Sequence, residues 1–96
     1  MLILGYAIKY RYADNGTTEV QVRIPTAHGP MDKSEYGGKT VHNYVEENDL
    51  PYYMSLILPH MPNYGDVVVL SATTESRKDW VVIGLTGGSY KKGARI

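Results

Sequence analysis

Polar and apolar residues alternate over the first quarter of the chain, and that alternation organises the rest. Val20, Val22 and Ile24 interleave with Glu19, Gln21 and Arg23. One face is therefore β-branched and apolar and the other polar, the period-two pattern of a strand. Upstream, Tyr6, Ile8, Tyr10 and Tyr12 share one parity while Ala7, Lys9 and Arg11 share the other, which predicts a first strand over about residues 2–12. Between them Ala13-Asp14-Asn15-Gly16 forms a turn, because Asn-Gly supplies the positive φ angles a hairpin needs. The two strands form an antiparallel hairpin whose closure cost is small. Pro25 has no N–H to offer a ladder and stops it, with the turn residues His28-Gly29-Pro30 just beyond.

From Thr26 to Asp49 the pattern dissolves into Gly, Pro, Asp, Asn, Ser and Lys. A connection this long either orders on itself, with residues 41–45 as a short strand, or contacts a partner. Leu50 to Leu58 begins Leu-Pro and predicts a third strand, although its last apolar residues could also pack irregularly; Pro59 and Pro62 end it. Asn63-Tyr64-Gly65-Asp66 turns into Val67-Val68-Val69-Leu70, a run suited to a strand covered on both faces. A polar hairpin loop over 73–78 leads to a fifth strand over 79–84. Five short strands in an open sheet would leave two exposed edges, so the expected fold is all-β, a small five-stranded Greek-key barrel with a long loop between strands 2 and 3. Its core should gather Val22, Ile24, Val67, Val69, Trp80 and Val82. The barrel is expected to occupy 1–88, with a C-terminal tail over 89–96.

At 96 residues the chain has room for one modest core, and without cysteine neither disulfides nor thiolate metal sites can staple it. Ten Lys and Arg balance ten Asp and Glu, which argues against the broad positive field of a phosphate binder. The opening Met-Leu-Ile-Leu lacks a basic flank and is far shorter than a signal peptide or membrane span, so the expectation is a soluble protein made inside the cell, without stable membrane insertion. His28, His42 and His60 are scattered rather than at metal spacing. Glu46, Glu47 and Asp49 fall in the polar loop and read as a solvated acidic face rather than a catalytic pair. Gly87-Gly88 lacks the helix that a phosphate loop needs. The residues thus point to a protein that is not an enzyme, with no cofactor and no small-molecule substrate.

Tyrosine is the unusual residue, nine copies against no Phe. A buried phenol needs a partner for its O–H, whereas a tyrosine at a rim buries its ring and keeps its hydroxyl wet. Tyr6, Tyr10 and Tyr52 are expected to line the barrel. Tyr36, Tyr44, Tyr64 and Tyr90 lie in loops and are interface candidates.

Five pieces in order carry a resemblance to a known family. Val22-Arg23-Ile24-Pro25 with His28-Gly29, then Leu50-Pro51-Tyr52, then Gly65-Asp66-Val67-Val68-Val69, then Val81-Val82-Ile83-Gly84 and finally Gly87-Gly88 resemble the OB-fold domain of phage tail spike and baseplate hub proteins. The family includes the central spikes of contractile tails and related secretion-system spikes, and the likeness spans about residues 3–88. Tyr52 stands where an aromatic, often Trp, is usual, and Tyr64 replaces the small apolar residue that usually precedes Gly-Asp.

The resemblance implies a structural component of a phage tail tip or baseplate, carried in the virion and made in the bacterial cytoplasm. Such a module would form a homotrimer and dock on or plug the tail hub, or contact other baseplate proteins. Because the sequence ends at Ile96, a piercing needle or spike is expected on a separate chain or not at all. The implied interface residues are Tyr36, Tyr44, Glu46, Glu47 and Asp49 in the long loop, Tyr64, and Tyr90, Lys91 and Lys92 in the tail, which is either frayed or a docking strand. A competing function class is an OB module for single-stranded nucleic acid, with Lys9, Arg11 and Arg23 along the phosphates and aromatic rings stacking on bases.

Overall fold

The alternation of the first 24 residues becomes a long hairpin. In the computed structural model, which describes residues 1–36, 43–57, 61–72 and 79–92 and only the backbone of Glu35 and Tyr36, strand β1 runs Leu2–Tyr12 and β2 runs Thr18–Arg23. Gly16 takes the positive φ expected of the turn, and Asn15 closes it by accepting from both the backbone N–H and the hydroxyl of Thr17. Pro25 does end the ladder, but it also opens something. With its φ already near the helical value it starts a single helical turn, α1 (Pro25–His28), which Gly29 closes at φ 89.

The long connection does not stay irregular. Short 3₁₀ turns form at Lys33–Tyr36 and Glu47–Asp49, while the strand expected over 41–45 falls partly on residues 41 and 42, outside those described, and residues 43–45 take no strand. Strand β3 is only Tyr52–Ser55, shorter than the apolar run suggested. Strand β4 runs Asp66–Ala72. Strand β5 runs Trp80–Ser89, straight through Gly87-Gly88, so the last strand extends past the expected boundary at 88 and takes the first residue of the tail. The loop over 73–78 and the end of the tail, 93–96, lie outside the described residues.

These five strands make one mixed sheet. The pairing runs β1-β2-β3-β5-β4, and β4 returns to β1, so the sheet closes on itself. All contacts are antiparallel except β3 with β5, which pair in parallel through Met54↔Val81 and Ser55↔Val82. Closure leaves one interior, filled by Ala7, Val20, Val22, Ile24, Val68, Leu70 and Val82, with Ile3, Tyr53, Ile57 and Trp80 packed partly against it. Gly5 faces this interior, and a Cβ there would run into Val22 Cγ1 and lie 3.0 Å from the Arg23 carbonyl. Its lack of a side chain lets β1 pass close over β2.

Two expectations about the core are corrected. Val68 and Leu70 fill the interior cluster, whereas Val67 is buried outside that cluster and Val69 is half-buried. A run of four apolar residues has no period-two signal, so only pairing could set its parity, and β1 sets it through Gly5↔Val68 and Ile3↔Leu70. The tyrosines expected to line the barrel do not. A register shift in β1 between Ala7 and Lys9 breaks the alternation that grouped Tyr6 with Tyr10. Tyr6 is buried outside the core cluster with its ring edge-on to Tyr90 at 5.3 Å, and Tyr10 and Tyr12 stand exposed on the hairpin as a T-shaped pair. Tyr52 lies on the other parity from Tyr53, which pairs with the core residue Val20 and turns toward the interior instead.

Candidate functional site

Polar side chains on β2 should meet water, yet Gln21 and Arg23 are only 1% and 2% exposed. What covers them is the connection between β2 and β3. Gln21 donates from Nε2 to the carbonyls of Glu47 and Leu50, both at 3.0 Å. Arg23 donates from Nη1 to the carbonyl of His28 and from Nη2 to that of Val45, both at 2.7 Å. Two side chains of one strand face thus hold four backbone carbonyls of the excursion. The amide and the guanidinium fork suit this work because each presents several donors in one plane. The second oxygen of Gln21, Oε1, is buried without a hydrogen-bond partner among the described residues.

His28 ties the same region together from the other side. Its Nδ1 accepts the N–H of Ile24 at 2.9 Å, its own N–H donates to the Ile24 carbonyl at 2.8 Å, and its carbonyl also accepts the N–H of Val45 at 3.0 Å. Burial, and then the Arg23 charge beside it, lower the pKa of the imidazole from its ordinary value. Tyr44 lies with its ring centroid 4.7 Å from the Arg23 guanidinium and 4.9 Å from Lys33 Nζ. Gly29 makes room for that ring, since a Cβ would sit 2.6 Å from Tyr44 Cδ2. Lys33 also pairs with Glu46 at 3.1 Å, an exposed contact of small energetic worth.

Tyr64 joins from the turn before β4. Its hydroxyl pKa is raised first by burial and then by the Glu47 carboxylate beside it. The turn itself explains the Gly-Asp pair. Gly65 adopts φ 86 and bridges two segments, donating to the Ala7 carbonyl at 2.7 Å and accepting from the Tyr90 N–H at 2.7 Å. Asp66 accepts the Asn63 N–H at 2.8 Å and so closes the turn.

The residues named for a partner interface therefore separate. Tyr44 is half-buried against Arg23, while Glu47 and Tyr64 lie near this cluster and are exposed. Tyr90 packs on Tyr6, whereas Glu46, Asp49, Lys91 and Lys92 are exposed. The Tyr36 side chain and residues 37–42 lie outside the described residues. Of the motif residues, Val22, Ile24 and Val82 are core, Arg23, His28 and Gly29 build the anchor, and the buried Leu50 leads into Pro51, whose carbonyl accepts the Val22 N–H. Pro25 starts α1. Ile83 is exposed and Gly84 faces open space.

An apolar band that the sequence reading missed lies on the outside. Positions of one parity pair across four strands as Leu2↔Ser71, Ser71↔Val81 and Val81↔Met54, with Leu4↔Val69 and Val69↔Gly84 alongside; of these Val81 is buried and Ser71 and Val69 are half-buried. Leu2 is 62% exposed, and Leu4, Met54, Leu56, Ile83 and Leu85 are exposed as well. Alternation within β1 hinted at Leu2 and Leu4, but only the pairing places them next to β4, with β5 one strand further on.

The cations needed for a nucleic-acid path are mostly engaged. Arg23 is buried, which removes it from any phosphate track. Arg11 bonds Glu19 at 2.8 Å and lies 3.8 Å over the Tyr52 ring, occupying a face on which a base would stack. Lys9 and Arg11 also have the opposite parity to Tyr10 and Tyr12, so charge and free rings fall on different faces. Among the described residues no group of three or more His, Cys, Asp or Glu could hold a metal ion, and no helix is long and apolar enough to cross a membrane. Compared with known proteins, the chain matches no family model, no curated protein and no solved structure.

Proposed function

We propose that this chain is a structural, non-enzymatic OB-fold module of a phage tail tip or baseplate that works through protein contacts. It forms a threefold set and docks on or plugs the tail hub, with any needle supplied by a separate chain. The observation that carries the reading is the set of exposed apolar side chains on β1, on β5 and at the end of β3. Single exposed leucines are ordinary, whereas exposed Leu2 and Leu4 on β1, Ile83 on β5, and Met54 and Leu56 at the end of β3 together make a surface suited to another protein. Five strands ordered β1-β2-β3-β5-β4 with one parallel contact support the Greek-key barrel of the OB-fold. The roles of Arg23, His28, Gly65 and Asp66 give physical reasons for the motif residues on which the resemblance rests.

Nucleic-acid binding is the weaker reading, because Arg23 is buried and Arg11 is already paired. The test is light scattering of the purified chain alone and mixed with a candidate tail hub protein. Three copies alone, or three copies only with the hub, support the proposal and say where the binding energy lies. A monomer that also ignores the hub refutes it.

A further inference from the structure

We propose that His28 is a proton-operated latch: adding a proton to its imidazole releases α1 and the segment around Val45 from the outer face of β2. The inference goes beyond the tail-tip reading and does not depend on it. A neutral imidazole has one nitrogen that accepts and one that donates, and here the acceptor is Nδ1, holding the Ile24 N–H at 2.9 Å. Once protonated, both nitrogens donate. Nδ1–H would then point at N–H, and the Ile24 amide would lose its acceptor. The ring must swing away, and it cannot do so quietly. The carbonyl of the same residue receives both Arg23 Nη1 and the Val45 N–H, so moving His28 loosens β2, α1 and the far limb of the excursion together.

Charge works in the same direction. Arg23 on β2 already places a cation beside the imidazole, and a second would repel it. The other charged or titratable groups facing this cluster are engaged elsewhere. Tyr44 lies over Arg23 and Lys33, Lys33 holds Glu46, and Glu47 lies beside Tyr64, whose pKa it raises. Burial and the Arg23 charge lower the pKa of His28 when the latch is closed, below the value of about 6.5 it has when released. The sign follows from linkage. The closed form holds fewer protons, so its stabilisation is complete above about pH 6.5 and is lost as pH falls through the lowered value.

The test is amide hydrogen exchange at Ile24 and Val45, corrected for intrinsic rates, between about pH 7.5 and 5.5, with the histidine rings followed by NMR. In the wild type both protection factors should fall more than about twofold and by about tenfold at most, the ceiling that linkage sets between a released pKa of about 6.5 and pH 5.5, in step with the His28 titration. His28→Asn keeps an acceptor, Oδ1, where Nδ1 stands, and it cannot titrate; its protection should stay flat. Wild-type protection constant within about twofold overturns the proposal, and so does the same fall in His28→Asn. Should His28→Asn not fold, the wild type decides alone: a fall that follows His42 or His60 rather than His28 overturns it.

Discussion

Replacing Arg23 with Met keeps most of the aliphatic stem and removes the guanidinium fork, which isolates what the two carbonyl contacts contribute. Hydrogen bonds to a charged group are each worth about 1.5–3 kcal/mol net, so the pair would give about 3–6 kcal/mol. Part of this is returned, because the partners of Arg23 among the described residues are two carbonyls and a ring face, with no carboxylate in ion-pair range. Removing an uncompensated buried cation relieves its desolvation, and the expected net loss is about 2–3 kcal/mol. For a domain of this size that lowers the melting temperature by roughly 10–20 °C. Arg23→Lys should cost nearly as much, since one ammonium cannot bridge two carbonyls with the geometry of a fork. Thermal melts followed by circular dichroism measure the global loss, and hydrogen exchange at Val45 reads the local one. If Arg23→Met melts within about 1 °C of wild type with Val45 protection unchanged, the anchor is decorative and the reasoning fails.

Further outcomes follow from the packing. Val82→Ala, wholly buried, should lose about 1–3 kcal/mol in a urea melt, whereas Val69→Ala, outside the core cluster, should lose clearly less; equal losses would mean the β4 parity is wrong. Gly29→Ala meets both a positive φ and the Tyr44 ring, so it should destabilise by about 1–3 kcal/mol and increase proteolysis of the excursion. Leu2→Ser with Leu56→Ser should leave the melting temperature within a few degrees, about 5 °C at most, yet abolish self-association or hub binding; unchanged assembly would remove the apolar band as the interface. A labelled oligonucleotide titrated at low salt should show no tight binding, and a steep salt slope would revive the competing reading.

Local chemistry was enough to reveal the first hairpin and where its ladder ends. Alternation marked β1 and β2, Asn15-Gly16 marked their turn, and Pro25 marked the end of the ladder, because each of these depends only on neighbouring residues and backbone sterics. Length and the absence of cysteine likewise confined the chain to one small packed core. The register shift in β1 and the parity of Val67–Leu70 had no such local mark, since a uniformly apolar run packs equally well either way until a partner strand chooses. The polar face of β2 was equally ambiguous. Gln21 and Arg23 look solvent-facing by alternation alone, and they become buried anchors only because a segment more than twenty residues away supplies carbonyls that satisfy them. The sequence determines which groups could bond; only the closed sheet brings the carbonyls of Val45, Glu47 and Leu50 within reach, because pairing of β3 with β2 and β5 fixes where the long connection must return.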